Sequence, residues 1–231
     1  MRLLFWLILV FSSLAAPAQQ KKKGGATGRL PFCGTRWQDF DKMNRELQEQ
    51  LEFLQLQEND TIVDIGASSG SFNASMAAIA QVKSLHFLLV DIDTACLNSR
   101  TIANVINHYT TLRGAPLTAG FQFVQNTPDS LWLPLNRYRK VWMMNVLHEI
   151  PDMTKMTIDV AAIMRTGGEL VLLELIPRKK GQLHGGCKMP LRTVNEWKEL
   201  VESSGLQFVE HLVVEKNRGK TKLALMRFVK R

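Results

Sequence analysis

Thr61-Ile-Val-Asp-Ile-Gly-Ala-Ser-Ser-Gly70 is the stretch whose reading decides the fold. Its first five residues, rich in β-branched side chains and bounded upstream by Asn59-Asp60, predict a short buried strand. The chain then turns at Gly66, and the Ala- and Met-rich run from Ser71 to Val82 predicts a helix. A glycine at such a junction permits a tight turn and close backbone approach, and the helix N-terminus behind it offers free N–H groups. Downstream, His86-Phe-Leu-Leu-Val-Asp91 predicts a second buried strand, ending in an acid 21 residues beyond Gly70. A carboxylate placed there can accept both hydroxyls of a ribose, as in nucleoside-binding α/β folds.

The same alternation continues on both sides. Arg36 to Leu56 predicts an amphipathic helix, with Phe40, Met43, Leu47, Leu51 and Leu54 recurring every three or four residues. Thr94 to Tyr109 predicts a helix opened by an Asp93 or Thr94 cap. Strands are expected at Phe121–Val124 and Lys140–Asn145, then a helix from Thr154 to Met164 stopped by Gly167-Gly168. A strand at Glu169–Glu174 and a helix from Thr193 to Ser204, ended by Gly205, follow. Two strands close the chain, Leu206–Val214 and Thr221–Val229; with no helix between them they should pair antiparallel at one edge. The fold class is therefore α/β, a doubly wound, mostly parallel sheet with an antiparallel C-terminal edge pair.

Composition agrees with one globular domain. The 231 residues are 45% hydrophobic and 22% charged, which excludes disordered, collagenous and coiled-coil classes. A net charge of +8 over the whole chain is too diffuse to indicate nucleic acid, and the basic C-terminus from Glu215 to Arg231 lacks interleaved aromatic residues. Cys33, Cys96 and Cys187 are too few, and odd in number, for a disulfide framework, and no paired C-x-x-C marks a zinc site.

The N-terminus reads as a separate segment. Arg2 precedes nine apolar residues, Leu3 to Phe11, and Ala16-Pro17-Ala18 fits a small-x-small cleavage site. Residues 1–18 are thus expected to be a signal peptide, residues 19–34 a flexible leader and residues 35–231 the folded domain, exported to the periplasm or secreted. The apolar run is too short to span a bilayer as a helix. Lys21-Lys22-Lys23 opposes the usual charge bias, and an uncleaved anchor or a later start would leave the chain membrane-anchored or cytoplasmic.

The dinucleotide fingerprint G-x-G-x-x-G fails at Ser68 and Ser71, and no Gly-Lys-Ser/Thr makes a P-loop. The sequence instead resembles the class I S-adenosylmethionine-dependent methyltransferases. Asp64-Ile-Gly66-Ala-Ser68-Ser-Gly70 matches the family's D/E-x-G-x-G-x-G with Ser for the middle glycine, and Leu89-Val-Asp91-Ile-Asp93 its ribose-holding second strand. Phe123-Val-Gln-Asn126-Thr127 lies where the family has its adenine-side loop, without the family's acid. Val141-Trp-Met-Met-Asn145-Val-Leu-His148-Glu149-Ile150 resembles the fourth-strand motif beside the methyl group, and Met164-Arg-Thr-Gly-Gly168 the L-K-P-G-G before strand five. The resemblance covers roughly residues 36–229.

It implies S-adenosylmethionine as cofactor, held by Asp64, Gly66, Ala67, Ser68, Gly70, Asp91, Ile92, Asn126, Thr127 and Asn145. Asp64 either orients the loop or faces the cofactor's methionine end. Asn145, His148 and Glu149 become the candidates to face an unidentified methyl acceptor, a small molecule or a protein, with His148 able to take its proton. His148 could equally be a packed histidine. His184-Gly-Gly-Cys187 offers two isolated ligands, a poor metal site, so no metal is expected and the segment reads as a loop over the pocket. The alternative function is an exported, non-catalytic binding protein that retains the fold, and a nucleic-acid binder ranks third.

Overall fold

The computed structural model describes residues 33–128, 130–216 and 221–231. The expected signal peptide, and all but the last two residues of the expected leader, lie outside this range.

Seven strands form one sheet in the order β3-β2-β1-β4-β5-β7-β6. They are β1 (Thr61–Ile65), β2 (Leu85–Asp91), β3 (Ala119–Gln125), β4 (Tyr138–Met144), β5 (Met164–Leu175), β6 (Leu206–Lys216) and β7 (Thr221–Lys230). β1 to β5 are mutually parallel, and β7 pairs antiparallel with both β5 and β6. The expected C-terminal pair is present, with β7 inserted between β5 and the edge strand β6.

Strand alternation divides the core into two layers. Ile62, Phe87, Trp142 and Val171 face α1 (Phe40–Leu54), α2 (Ser71–Ile79) and α3 (Ser99–Arg113). Val63, Val141, Met143, Leu170 and Leu172 face α4 (Met153–Ile163) and α5 (Val194–Glu202). Burial on both faces explains why these strands read as continuous apolar runs. Among the described residues no helix is long and apolar enough to cross a membrane.

Three local expectations are corrected. α3 starts at Ser99, not Thr94, because Asp93 spends its carboxylate on the N–H groups of Ala95 and Cys96 (2.8 and 3.2 Å). Asn98 caps the helix instead, accepting from Thr101 N–H at 3.0 Å. Gly167-Gly168 does not stop α4, which ends at Ile163 and passes directly into β5. The two glycines lie in a bulge, where the β4–β5 register shifts between Tyr138 and Lys140. A Cβ at Gly168 would lie 2.8 and 2.9 Å from the carbonyl oxygens of Arg165 and Tyr138, so position 168 has room only for glycine. Finally, Cys33 and Gly34 belong to the folded domain: Cys33 forms a disulfide with Cys96, leaving Cys187 as the free cysteine.

Candidate functional site

In the strand order, β1 lies between β2 and β4, the point where the winding reverses and ligands of such sheets bind beyond the carboxyl ends. Gly66, Asp91 and Asn145 leave those three ends. Gly66 N–H and Ala67 N–H both donate to the Val90 carbonyl (2.8 and 3.1 Å), which fixes the turn against β2. Ser68 N–H donates to Asp91 Oδ2 at 2.6 Å and Asp93 N–H to Oδ1 at 2.9 Å. Each carboxylate oxygen therefore keeps a lone pair to accept a further O–H. Gly66 sits at φ +75°, and Ser68 and Asn145 also take left-handed backbone, at φ 51° and 61°. Non-glycine residues rarely sit there, and such strain clusters at ligand sites.

Two cavities meet at this turn. One, of about 480 Å³, is walled by Asp91, Ile92, Asn126 and Thr127, with Leu131, Val146, Glu149 and Met156 as its floor. The other, of about 440 Å³, is walled by Asp64, Ala67, Phe72, Gln50 and Leu173 and roofed by residues 33–35 and Trp37. Gly66, Ser68, Met144 and Asn145 belong to both. A roomier depression of about 620 Å³ lies between α1 and the end of α2, away from every strand end that carries the motif.

The second cavity concentrates unmet polar groups. Asp64 Oδ1, Asn145 Oδ1 and Gln50 Nε2 are buried without hydrogen-bond partners, and buried polar atoms are normally paired. Burial pushes the Asp64 carboxyl up to about 7; the Asn73 amide opposes this and the Asp91 charge adds to it. A carboxyl with one unpaired oxygen, poised near neutral pH, favours a cationic ligand.

The roof is tied down from several sides. Besides the disulfide, Ser69 Oγ donates to the Cys33 carbonyl and Ser71 Oγ to that of Thr35. Tyr109 O–H donates to the Thr35 carbonyl at 3.0 Å, and His108 Nε2 lies 2.7 Å from that of Trp37. Composition hid this roof, since residues 33–35 carry no large apolar side chain. Gln50 was findable: it interrupts the buried face of α1 between Leu47 and Leu54.

Of the acceptor-side candidates, Asn145 lines both cavities and Glu149 the first, whereas His148 lines neither. His148 is buried, and its Nδ1 lies 2.7 Å from Glu174 Oε2, a contact that holds its pKa above the usual value against the effect of burial. Its ring packs 4.6 Å from that of His184.

Solved structures share this architecture. The YcgJ protein of Bacillus subtilis superposes with a TM-score of 0.57 at 14% identity, covering 81% of this chain and 98% of its own. A SAM-dependent methyltransferase of Methanosarcina mazei gives 0.58 at 17%, covering 76% and 94%. This is the Rossmann-like methyltransferase fold. The [4+2]-cyclase SpnF has it too, at 0.57 and 15%, covering 81% of each chain, so the fold by itself does not fix the reaction. Neither protein-family models nor curated protein sequences match the chain.

Proposed function

We propose that the protein binds S-adenosylmethionine across the ends of β1, β2 and β4 and passes its methyl group to a nucleophile. The observation carrying this reading is the pair of cavities that meet at Gly66, Ser68 and Asn145. One offers a ribose-accepting carboxylate, the other a buried acid with an unpaired oxygen for a cationic ligand end. The Cys33–Cys96 disulfide favours an oxidising compartment for this activity.

The residues suit the group. Asp91 accepts the ribose hydroxyls, while Leu131, Val146 and Met156 give the base an apolar bed beside Asn126. Asp64 and Asn145 Oδ1 receive the amino end. The bound sulfonium supplies an already activated methyl group, so the protein's work is alignment and exclusion of water. The roof of residues 33–35 and Trp37 and the apolar Phe72, Leu173 and Leu175 do the latter. With Nδ1 engaged by Glu174 and no place in either cavity wall, His148 is not the proton acceptor in this reading.

Calorimetry with S-adenosylmethionine and S-adenosylhomocysteine is the test. Replacing Asp91 by Ala should weaken binding by about 1–3 kcal/mol, because ribose hydroxyls would be left unpaired in the site. A folded variant with wild-type affinity removes Asp91 from the site; a wild-type protein that binds neither compound defeats the proposal.

Asp64 adds a pH dependence. Only its ionised form attracts a cation, and its carboxyl titrates at about 7. Affinity should rise about tenfold from pH ~6 to ~8 and the slope should vanish in Asp64→Asn. For the unliganded fold the sign is opposite. The raised carboxyl favours the native state below the ordinary Asp range, and that contribution is lost as pH climbs through about 7. Equal wild-type affinity at both pH values would show that Asp64 does not face the ligand's charge.

A further inference from the structure

We infer that His148, His184 and Cys187 form a site for one divalent cation of the zinc class, fastening the 182–191 hairpin to the end of β4. The inference does not depend on methyl transfer, because these side chains lie outside both cavities described above.

The starting observation is a buried nitrogen. His148 is 5% exposed, and its Nε2 has no hydrogen-bond partner. An unpaired buried polar atom is costly, and a metal ion is one of the few partners an imidazole lone pair can take. Glu174 fixes which nitrogen is free: its carboxylate lies 2.7 Å from Nδ1 and is itself 1% exposed. In the neutral imidazole, with the Nδ1 proton shared with Glu174, Nε2 carries the lone pair. A carboxylate behind a histidine is the usual outer partner of a metal-bound imidazole.

The other ligands arrive on a hairpin shaped by its backbone. His184 N–H donates to the Met189 carbonyl at 2.8 Å and Leu191 N–H to that of Gln182 at 2.9 Å, with a bridge between Leu183 and Pro190. The Gly185-Gly186 turn brings His184 Nδ1 to 3.1 Å from Cys187 Sγ. One donor atom from each of His148, His184 and Cys187 lies within 4.8 Å of the other two. With bonds of about 2.0–2.3 Å, tetrahedral zinc ligands stand about 3.4–3.6 Å apart, so a shift of about 1 Å in the exposed hairpin closes the set. Glu149 Oε1, 3.6 Å from His148 Nε2, or a water can complete four-coordination. Two imidazoles and a thiolate select a borderline cation over magnesium or calcium, which prefer oxygen ligands. Binding releases the thiol proton, and the Nε2 proton of any charged His148, to solvent.

The test uses the full chain with its disulfide intact, stripped with a chelator and dialysed against Zn²⁺ or Co²⁺. Retention of one zinc per chain is expected, along with a cobalt spectrum showing tetrahedral d–d bands and thiolate charge transfer. Zn²⁺ should shield Cys187, the free thiol, from alkylation. Cys187→Ser and His184→Ala alter exposed or half-buried loop positions and should keep the metal-free urea midpoint. Each should weaken zinc binding about 100-fold or more, since each removes a direct ligand. Absence of retained zinc in the wild-type protein overturns the site, as does zinc binding undiminished in both variants.

Discussion

Replacing Gly66 by alanine is expected to weaken binding of S-adenosylmethionine at the proposed site by more than about 100-fold and to destabilise the fold by about 2–5 kcal/mol. Two costs combine. The first is conformational, because the residue sits at φ +75°, where a side chain is strained. The second is steric: an added Cβ would lie 2.3, 2.7 and 2.8 Å from the three side-chain carbons of Val146. Neither partner can readily give way, since Gly66 N–H and Ala67 N–H hold the turn to Val90 and Val146 follows the strained Asn145. Gly114→Ala separates the two effects. That residue has nearly the same backbone, φ +74°, with nothing within 4 Å of an added Cβ, so it should show the conformational cost alone, about 1 kcal/mol. Trimming Val146 to alanine on the Gly66→Ala background should recover part of the loss. Urea unfolding and calorimetry read both quantities; a Gly66→Ala protein no worse than Gly114→Ala would refute the steric argument.

What the sequence disclosed about this site follows from how local each signal is. Strand, turn and helix start over Thr61–Ser71 are written in adjacent residues, as is the acid at the end of β2, and all stand where the pattern puts them, although α2 ends at Ile79 and not at the expected Val82. Within the expected strand Lys140–Asn145, Trp142 and Met143 are buried, whereas Met144 is half-buried and lines both cavities. The misplaced boundaries lie where a residue type has two uses: Asp93 caps a turn, not a helix, and Gly167-Gly168 form a bulge, not a stop. Pairwise and longer-range features were illegible. Three cysteines allow three pairings, and nothing near Cys33 or Cys96 selects theirs. The roof over Asp64 depends on that pair together with Ser69, Ser71 and Tyr109. His148 and the His184–Cys187 loop are likewise 36 or more residues apart, so two isolated ligands could not be recognised as part of a cluster of three.

The other large effect is expected at the opposite end of the sheet, where Lys140 lies fully buried at the start of β4. Its Nζ lies 2.8 Å from Asp60 Oδ2 and 3.3 Å from Glu169 Oε1, and donates to the carbonyls of Gln55 at 2.6 Å and Leu54 at 3.4 Å. Those carbonyls terminate α1, so one ammonium ties the negative end of that helix to two strands. Lys140→Met keeps most of the side-chain volume but removes the charge, leaving Asp60 buried with Arg139 at 3.9 Å. Glu169 keeps Arg227 as a partner, so the cost falls mainly on Asp60 and the helix carbonyls. Breaking one side of a buried pair in this way destabilises by about 3–5 kcal/mol. The urea midpoint should fall with an unchanged slope, as the unfolded chain is little altered. Adding Asp60→Asn should recover part of the loss, because the uncompensated charge is then gone and only the hydrogen bonds remain missing. A single variant costing under about 1 kcal/mol, within the range of exposed ion pairs, would mean that water reaches this cluster and that α1 is held chiefly by Met43, Leu47 and Leu54.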